Sequence, residues 1–363
     1  MDSVTKNRQD AGVLAAMVER AYGAAAVPRS VGGPSGWCTE LGNGWFNVAY
    51  RIRLRDGRDV ALKIAPPSDV EVLTHERDAM EVELAAMDVL RSHVPDLVPR
   101  IDHVDRTHDL ANATWFFMEF VEGSDLGVLS SRLSFGERER QLENVGRLNR
   151  RLNDIPGESF GRIVEATSGS WRTVFVTMVE DVLSDGERRA VDLGLPYDVV
   201  RATVARHASV LDDVVTPRFV ERDLWDSNVM VRDGRIVALI DHERAMYADP
   251  LMEYGFIGSQ LPAFGHSSAF LRGYGTSSLS KGEALRVRLY GLHLAVTMAV
   301  EPAYRGHTDA RQHEFAVGQV RAAVDLLNRG SLARYGAGIT EAARRARTRA
   351  GGVARRLGAT ADS

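Results

Sequence analysis

The sequence predicts an α+β chain folded as two lobes, and three observations predict it. Five short β-type runs crowd the first third, WCTELG, WFNVAYRIRL, DVALKIA, VPRIDHV and TWFFMEFVEG, with one helical stretch among them. Beyond Gly123 the apolar residues recur mostly at helical spacing. Three further β-type runs, RFVER, NVMVRDG and RIVALID, interrupt that helical part. A length of 363 residues with 44% hydrophobic content can bury a large core and favours two lobes over one.

In chain order, residues 1–35 carry an amphipathic helix from about Val4 to Ala24, with Val13, Leu14, Met17, Val18 and Ala21 on one face. The Pro/Gly-rich stretch VPRSVGGPSG closes it. Residues 36–122 form the N-terminal lobe: five strands, the second and third joined by the hairpin signal RDGR, and a helix from about Thr74 to Ser92. Residues 123–330 form the C-terminal lobe. There Ser134 and Glu137 make a capping box that opens a helix reaching Asn153. Further helices are expected near Trp171–Leu183, Pro196–Leu211, Lys281–Val300 and Ala310–Asn328. A five-stranded antiparallel sheet with one helix, joined to a mainly helical lobe bearing a small β insert, is the architecture of the protein-kinase-like fold.

Composition narrows the function. The tail 331–363 holds seven arginines against Glu341 and Asp362, so it is +5 and leaves −9 on the remainder of a chain whose net charge is −4. An anionic body with a cationic tail lacks the basic folded surface that nucleic-acid binding needs. The tail itself reads as a solvated, partly helical segment. No run nears the roughly 20 apolar residues of a membrane span. The opening MDSVTKNRQD lacks the apolar run of a signal peptide, and the single Cys38 excludes an internal disulfide, so the cytoplasm is the expected setting. Of 45 basic residues only Lys6, Lys63 and Lys281 are lysines, so a lysine inside a strand asks for a reason.

Five features carry the chemistry. In the loop LGNGWFN, Gly42, Asn43 and Gly44 let the backbone approach a phosphate and aim its N–H groups at it, although two glycines also serve a plain turn. Lys63, in VALKIA, is a compact ammonium where a guanidinium fork would not fit between phosphates and a carboxylate. Glu83 shares a helix face with Met80, Met87 and Leu90, so an acid points into an apolar stripe and requires a cation. Lys63 is the natural one, with Glu76 the alternative acid. Asp223 and Asn228 stand five apart, the kinase spacing in which the acid accepts the attacking hydroxyl's proton and the amide helps hold a metal. Asp241 follows thirteen residues later, across a hairpin's length of sequence that returns it beside Asn228; two such oxygens suit Mg²⁺.

Taken together, LGNGWFN, VALKIA, Glu83, FMEFVEG, RDLWDSN and LIDHERAMYADP resemble the aminoglycoside phosphotransferase family of antibiotic and small-metabolite kinases, with the viomycin and hygromycin types among the nearest. RLNDIPGESFG adds to this, with Asn153 in the place of the family's histidine. The resemblance implies Asp223 as catalytic base, Asn228 and Asp241 as Mg²⁺ ligands and Lys63 on the α/β-phosphates of ATP or GTP. It also implies adenine against the backbone of Glu119, Phe120 and Val121. The chain departs from the family by reading Glu221-Arg222-Asp223 where His-Gly-Asp is usual, and Glu221 then needs a partner that Arg222 could supply. Asn47, where protein kinases have a third glycine, is usual within the family.

Only six residues separate Asp241 from Ala248, too few for a peptide-holding activation segment, so the acceptor is a small molecule. Glu221, Asp226, Glu253 and Glu301 are the acids that could line an acceptor cleft. With the −9 body they suggest a cationic acceptor, an aminoglycoside or a basic cyclic peptide, and hence antibiotic resistance. Two other functions stay open: an endogenous kinase for a fructosamine, sugar or amino-alcohol, and a nucleotide-binding pseudokinase. A monomer or weak dimer is expected.

Overall fold

The computed structural model describes residues 3–29, 36–42, 46–165, 168–255, 268–276 and 278–329. The N-terminal sheet consists of β1 (Cys38–Glu40), β2 (Val48–Arg53), β3 (Asp59–Ile64), β4 (Ile101–Asp105) and β5 (Trp115–Glu119). Its order is β1-β2-β3-β5-β4, with every pair antiparallel. Gly57, at φ 89°, turns the β2–β3 hairpin in a conformation that only glycine adopts without cost. Central β3 is buried at five of its six residues, so both faces are covered and Lys63 is buried with its neighbours.

One face of the sheet packs against α1 (Ala11–Tyr22), whose Leu14, Met17 and Val18 meet Val48, Ile52, Leu62, Trp115 and Phe117. Burying each such side chain contributes roughly 1.5–3 kcal/mol. The helix starts at Ala11 rather than Val4, because the Asp10 carboxylate accepts the N–H groups of Gly12 and Val13 and caps it. Residues before it tie the lobes together instead: the Val4 N–H donates to the Arg305 carbonyl (3.2 Å), and the Asn7 amide donates to the carbonyls of Ala65 and Ala111.

The other face is covered by α2 (Ala79–His93). Its Leu84, Met87 and Leu90, with Phe116 of β5, run without interruption into the core of the C-terminal lobe. This helix also begins later than expected, since Thr74–Glu76 is a separate 3₁₀ turn and Asp78, at φ 56°, breaks the periodicity.

After β6 (Ser124–Asp125) and α3 (Leu126–Ser130) the chain enters α4 (Phe135–Asn153), opened by the Ser134/Glu137 capping box. Next come β7 (Gly161–Arg162), α5 (Trp171–Arg188) and α6 (Tyr197–His207), the last shorter than expected because Ala208–Asp213 tightens into 3₁₀. The remaining elements are β8 (Arg218–Val220), β9 (Val229–Arg232), β10 (Arg235–Leu239), β11 (Met246–Ala248), α7 (Ser268–Tyr274), α8 (Lys281–Arg305) and α9 (Ala310–Arg329). The expected single β insert is in fact split: β9 pairs with β10 on one side and β6 on the other, while β11 pairs with β8 and β7 in a separate sheet. Helix α8 outruns its expected end at Val300 and stops where Gly306, at φ 71°, caps it. Among the described residues no helix is long and apolar enough to cross a membrane. The arginine-rich tail, 331–363, lies outside them.

Candidate active site

Strand register sets the first group. Lys63 stands opposite Ala49 on β2 and Phe116 on β5. Its Nζ lies 2.6 Å from Glu83 Oε2 on α2, 2.5 Å from Asp241 Oδ1 and 3.8 Å from Glu243 Oε2. Burial disfavours the ammonium, but Asp241, Glu83 and Glu243 outweigh it and raise Lys63 above the ordinary lysine value. Burial likewise works against the Asp241 carboxylate, and Lys63 overcomes it, holding Asp241 below the usual carboxylate range. Glu243 shows the opposite outcome: burial and the neighbouring Asp241 push it far up.

The second group is built by the β9–β10 hairpin. Asp233 and Gly234, both at positive φ, make its turn, and Leu239 pairs with Val229. The Ile240 N–H donates to the Asn228 carbonyl (3.1 Å), so Asp241 emerges beside Asn228. Asn228 Nδ2 donates to the Asp223 carbonyl (2.8 Å) and approaches Asp223 Oδ2 (3.4 Å), which fixes the acid's backbone and side chain together. Besides Asp233, two further non-glycine residues with positive φ punctuate this region, Arg222 at 59° and Asp241 at 70°. Each costs about 1–3 kcal/mol, and such strain gathers at functional sites. Burial raises Asp223 to about 6; Arg244 pulls it down while Asp241 and Glu301 push it up.

Both groups open on one cleft of about 760 Å³ between the lobes. Ala49, Ala61, Met118 and Ile240 give one end apolar walls, and Glu119, Phe120 and Val121 form its edge. Lys63, Glu83, Asp223, Asn228, Asp241 and Glu243 occupy the middle. Leu294, Met298 and Ala316, from α8 and α9, line the far end together with Trp225. Oxygens of Glu83, Asp241 and Glu243 fall within 4.8 Å of one another, a hard-donor set of the kind Mg²⁺ takes.

Several expected residues stand elsewhere. Of the glycine loop, Asn43 and Gly44 lie outside the described residues; Gly42 is described but is not in the cleft wall, which Leu41, Phe46 and Asn47 supply. Glu221 is 4% exposed, and its partner is His242, whose Nδ1 is 3.0 Å from Oε2, and not the adjacent Arg222. Glu253 is fully buried, its Oε1 accepting the N–H groups of Glu221 and Arg222; it holds that backbone from beneath and does not line the cleft. Asp226 does not line the cleft. Glu301 does, but Arg244 (3.1 Å) and Arg305 (2.8 Å) clamp it. The fallback acid Glu76 is held by Arg305 and lies 3.8 Å from Arg244.

The sequence reading missed Glu243, Asn47, Arg244 and Arg305. Asn47 Nδ2 donates to Glu243 Oε2 (2.5 Å) across 196 positions, and the Arg305 guanidinium lies 4.8 Å from the Phe46 ring centroid. Only the Glu301/Arg305 spacing of four offered a signal. The other contacts join segments that sequence periodicity does not relate.

A nucleotide-covering sheet, a lysine paired with a helix acid, and an acid, amide and acid converging below them define a small-molecule kinase of the protein-kinase-like fold. The chain belongs to the phosphotransferase enzyme family (APH), whose model matches residues 37–290. Two curated relatives, both Subtelomeric hrmA-associated cluster proteins of Aspergillus fumigatus strains, are 27% identical over 143 residues. That match covers 39% of this chain and spans only 27% of the relatives' length. Among solved structures, a Thermobifida fusca protein assigned as a fructosamine-3-kinase superposes with TM-score 0.60 at 20% identity, over 86% of this chain and 98% of that one. APH(4)-Ia with AMP-PNP and hygromycin B gives 0.60 at 17% identity, over 88% and 99%. The streptomycin–ATP complex of APH(2″)-IIa gives 0.56 at 12% identity, over 80% and 93%. At these identities the likeness shows the fold alone.

Proposed function

We propose that this enzyme moves the γ-phosphoryl group of ATP to a hydroxyl of a small molecule, with Asp223 as the base. The observation that carries the reading is the convergence of Lys63, Asp223, Asn228 and Asp241 on one cleft. Asp223 accepts the proton of the attacking hydroxyl. The acceptor oxygen bonds to the γ-phosphorus as the bond to the β–γ bridging oxygen breaks, and ADP leaves with that electron pair. Lys63 offsets phosphate charge, and Glu83 keeps the ammonium in place. Asn228 and Asp241 would hold Mg²⁺, which supplies charge neutralisation of the phosphate oxygens when bound. The complexes of APH(4)-Ia with AMP-PNP and of APH(2″)-IIa with ATP support the choice of nucleotide.

Asp223→Ala is expected to lower kcat at least ~10²-fold, the scale of losing one positioned catalytic group. Coupled-assay turnover and mass spectrometry of the acceptor measure this; near wild-type phosphorylation by the variant would remove Asp223 from the role.

For the acceptor, a cationic antibiotic is the narrower proposal. It draws on the relatives solved with hygromycin B and streptomycin and on the −9 charge outside the tail. The acids expected to line its site lend little, since Glu221 and Glu253 are buried and Glu301 is doubly paired. A ketosamine is the second reading, favoured by the Thermobifida fusca neighbour. An ADP-release screen across aminoglycosides, tuberactinomycin-type peptides and ketosamines separates them, and preference for an uncharged alcohol would defeat both.

A further inference from the structure

Along residues 241–243 the side chains differ in what they meet. Asp241 and Glu243 line the cleft, whereas His242 between them does not. It is 1% exposed, and its Nδ1 donates to both carboxylate oxygens of Glu221, at 3.1 and 3.0 Å. Glu221 is buried as well and is also absent from the cleft wall. The proposed transfer gives neither side chain a task, yet one stands two residues before Asp223 and the other directly after Asp241.

The pair bridges the point where backbone pairing stops. β8 and β11 run antiparallel as far as Val220 opposite Met246, and there the ladder ends. Beyond it one segment continues through Arg222, at φ 59°, to Asp223, and the other arrives from Asp241, at φ 70°. Left-handed backbone is uncommon for a residue with a side chain, so each needs its neighbours fixed. Around Arg222 that is done by Glu253 Oε1, which accepts the N–H groups of Glu221 and Arg222. Around Asp241 it is done from both sides. Before it, the Ile240 N–H donates to the Asn228 carbonyl (3.1 Å). After it, the His242 ring is tied to Glu221, and the His242 carbonyl accepts the Ala245 N–H (3.1 Å). Without the ring's bond, Asp241 has one anchor left and can relax toward the ordinary backbone regions, which carries its carboxylate away from Asn228.

We propose that Glu221 and His242 are positioning residues that hold Asp241 in its left-handed conformation, so that its carboxylate stays beside Asn228 for the metal of a bound nucleotide. This rests on the phosphotransferase reading above. Neither residue touches a ligand; both act through Asp241. Stability alone does not account for the pair, because a buried carboxylate–imidazole contact can often be replaced by packed apolar side chains at no loss. Orientation of a metal-binding carboxylate by an outer hydrogen bond does account for it.

The test uses the full-length protein and reads binding, not turnover. Wild type and the double variant Glu221→Met/His242→Leu, which puts apolar side chains of similar size in the pair's place, are melted and titrated with AMP-PNP by calorimetry, once with Mg²⁺ and once with EDTA. The double variant is expected to melt close to wild type and to bind AMP-PNP equally well in EDTA. With Mg²⁺ its affinity should be at least ~10-fold weaker than that of wild type. His242→Asn, whose amide N–H can donate from the place of Nδ1, should keep most of the Mg²⁺-dependent affinity that His242→Leu loses. Unchanged affinity with Mg²⁺ in the double variant overturns the proposal. So do equal losses with Mg²⁺ and EDTA, which mark a packing role only, and so does an asparagine variant no better than the leucine one. Wild-type protein that binds AMP-PNP no tighter with Mg²⁺ than with EDTA defeats the metal reading of Asn228 and Asp241 itself, and the proposal with it. If the double variant does not fold, wild-type crystals grown with Mg²⁺ and AMP-PNP decide: the pair closed at about 3 Å with Asp241 on the metal upholds the proposal, and a metal held by Asp241 with the pair open overturns it.

Discussion

Asp223, on the cleft, and Glu253, fully buried, are both acids whose affinity for protons is raised by desolvation, yet they carry different consequences. As the proposed base, Asp223, raised to about 6 by burial, is competent only above that value. The expected kcat/KM profile therefore falls on its acidic side through about pH 6. Arg244→Gln removes the cation that pulls Asp223 down, so this limb should move toward alkaline pH by up to about one pH unit; an unmoved limb would assign it to another group. Glu253 is raised from 4.5 to about 8. A carboxyl raised on folding contributes stability that is complete below its unfolded value and lost as pH climbs through its folded value. Stability should thus decline between about pH 4.5 and 8, with a slope on the order of 1.4 kcal/mol for each pH step of one within that window. Glu253→Gln keeps an acceptor for the N–H groups of Glu221 and Arg222 and cannot ionise, so its Tm-against-pH curve should be flatter across that window.

At the level of elements, the parts with strong local signals match their expected form: α4 with its capping box, β2–β3 with its turn, β9–β10 with Asp233-Gly234. Those missed were too short for a period to show, as with β6, β7 and β11 at two or three residues. The α7 helix is held by a contact that sequence does not display. A side chain on Gly146 of α4 would collide with the Phe270 carbonyl, and one on Gly273 of α7 with the Glu143 carbonyl, so the two backbones touch. Gly146→Ala and Gly273→Ala should each destabilise by about 1–3 kcal/mol, the cost of overpacking, despite alanine's better helix propensity. Chemical denaturation measures this, and a stabilised variant would show that the helices can part at no cost.

Across the whole molecule, the lobes are joined at their facing edges by side chains. Asn47 reaches Glu243, Arg305 lies against Phe46 and reaches Glu76, and Lys63 spans from β3 to Asp241. Asn47→Ala cuts one of these ties without touching Lys63 or Asp223. It should raise the KM for nucleotide several-fold while lowering kcat less, because the loss falls on lobe closure rather than on the reacting groups. Equal kinetic constants for variant and parent would make the contact incidental. The two-lobed α+β plan, the pairing of Lys63 with Glu83 and the grouping of Asp223, Asn228 and Asp241 were legible in the residue order, because strand alternation, helix periodicity and hairpin length are local rules. Which acids remain available was settled by long-range packing. Whether Glu221, Glu253 and Glu301 face a ligand depends on His242, on two backbone N–H groups and on two arginines that folding brings from distant segments. A carboxylate's neighbours and its access to water set its charge, and neither is written in its position along the chain.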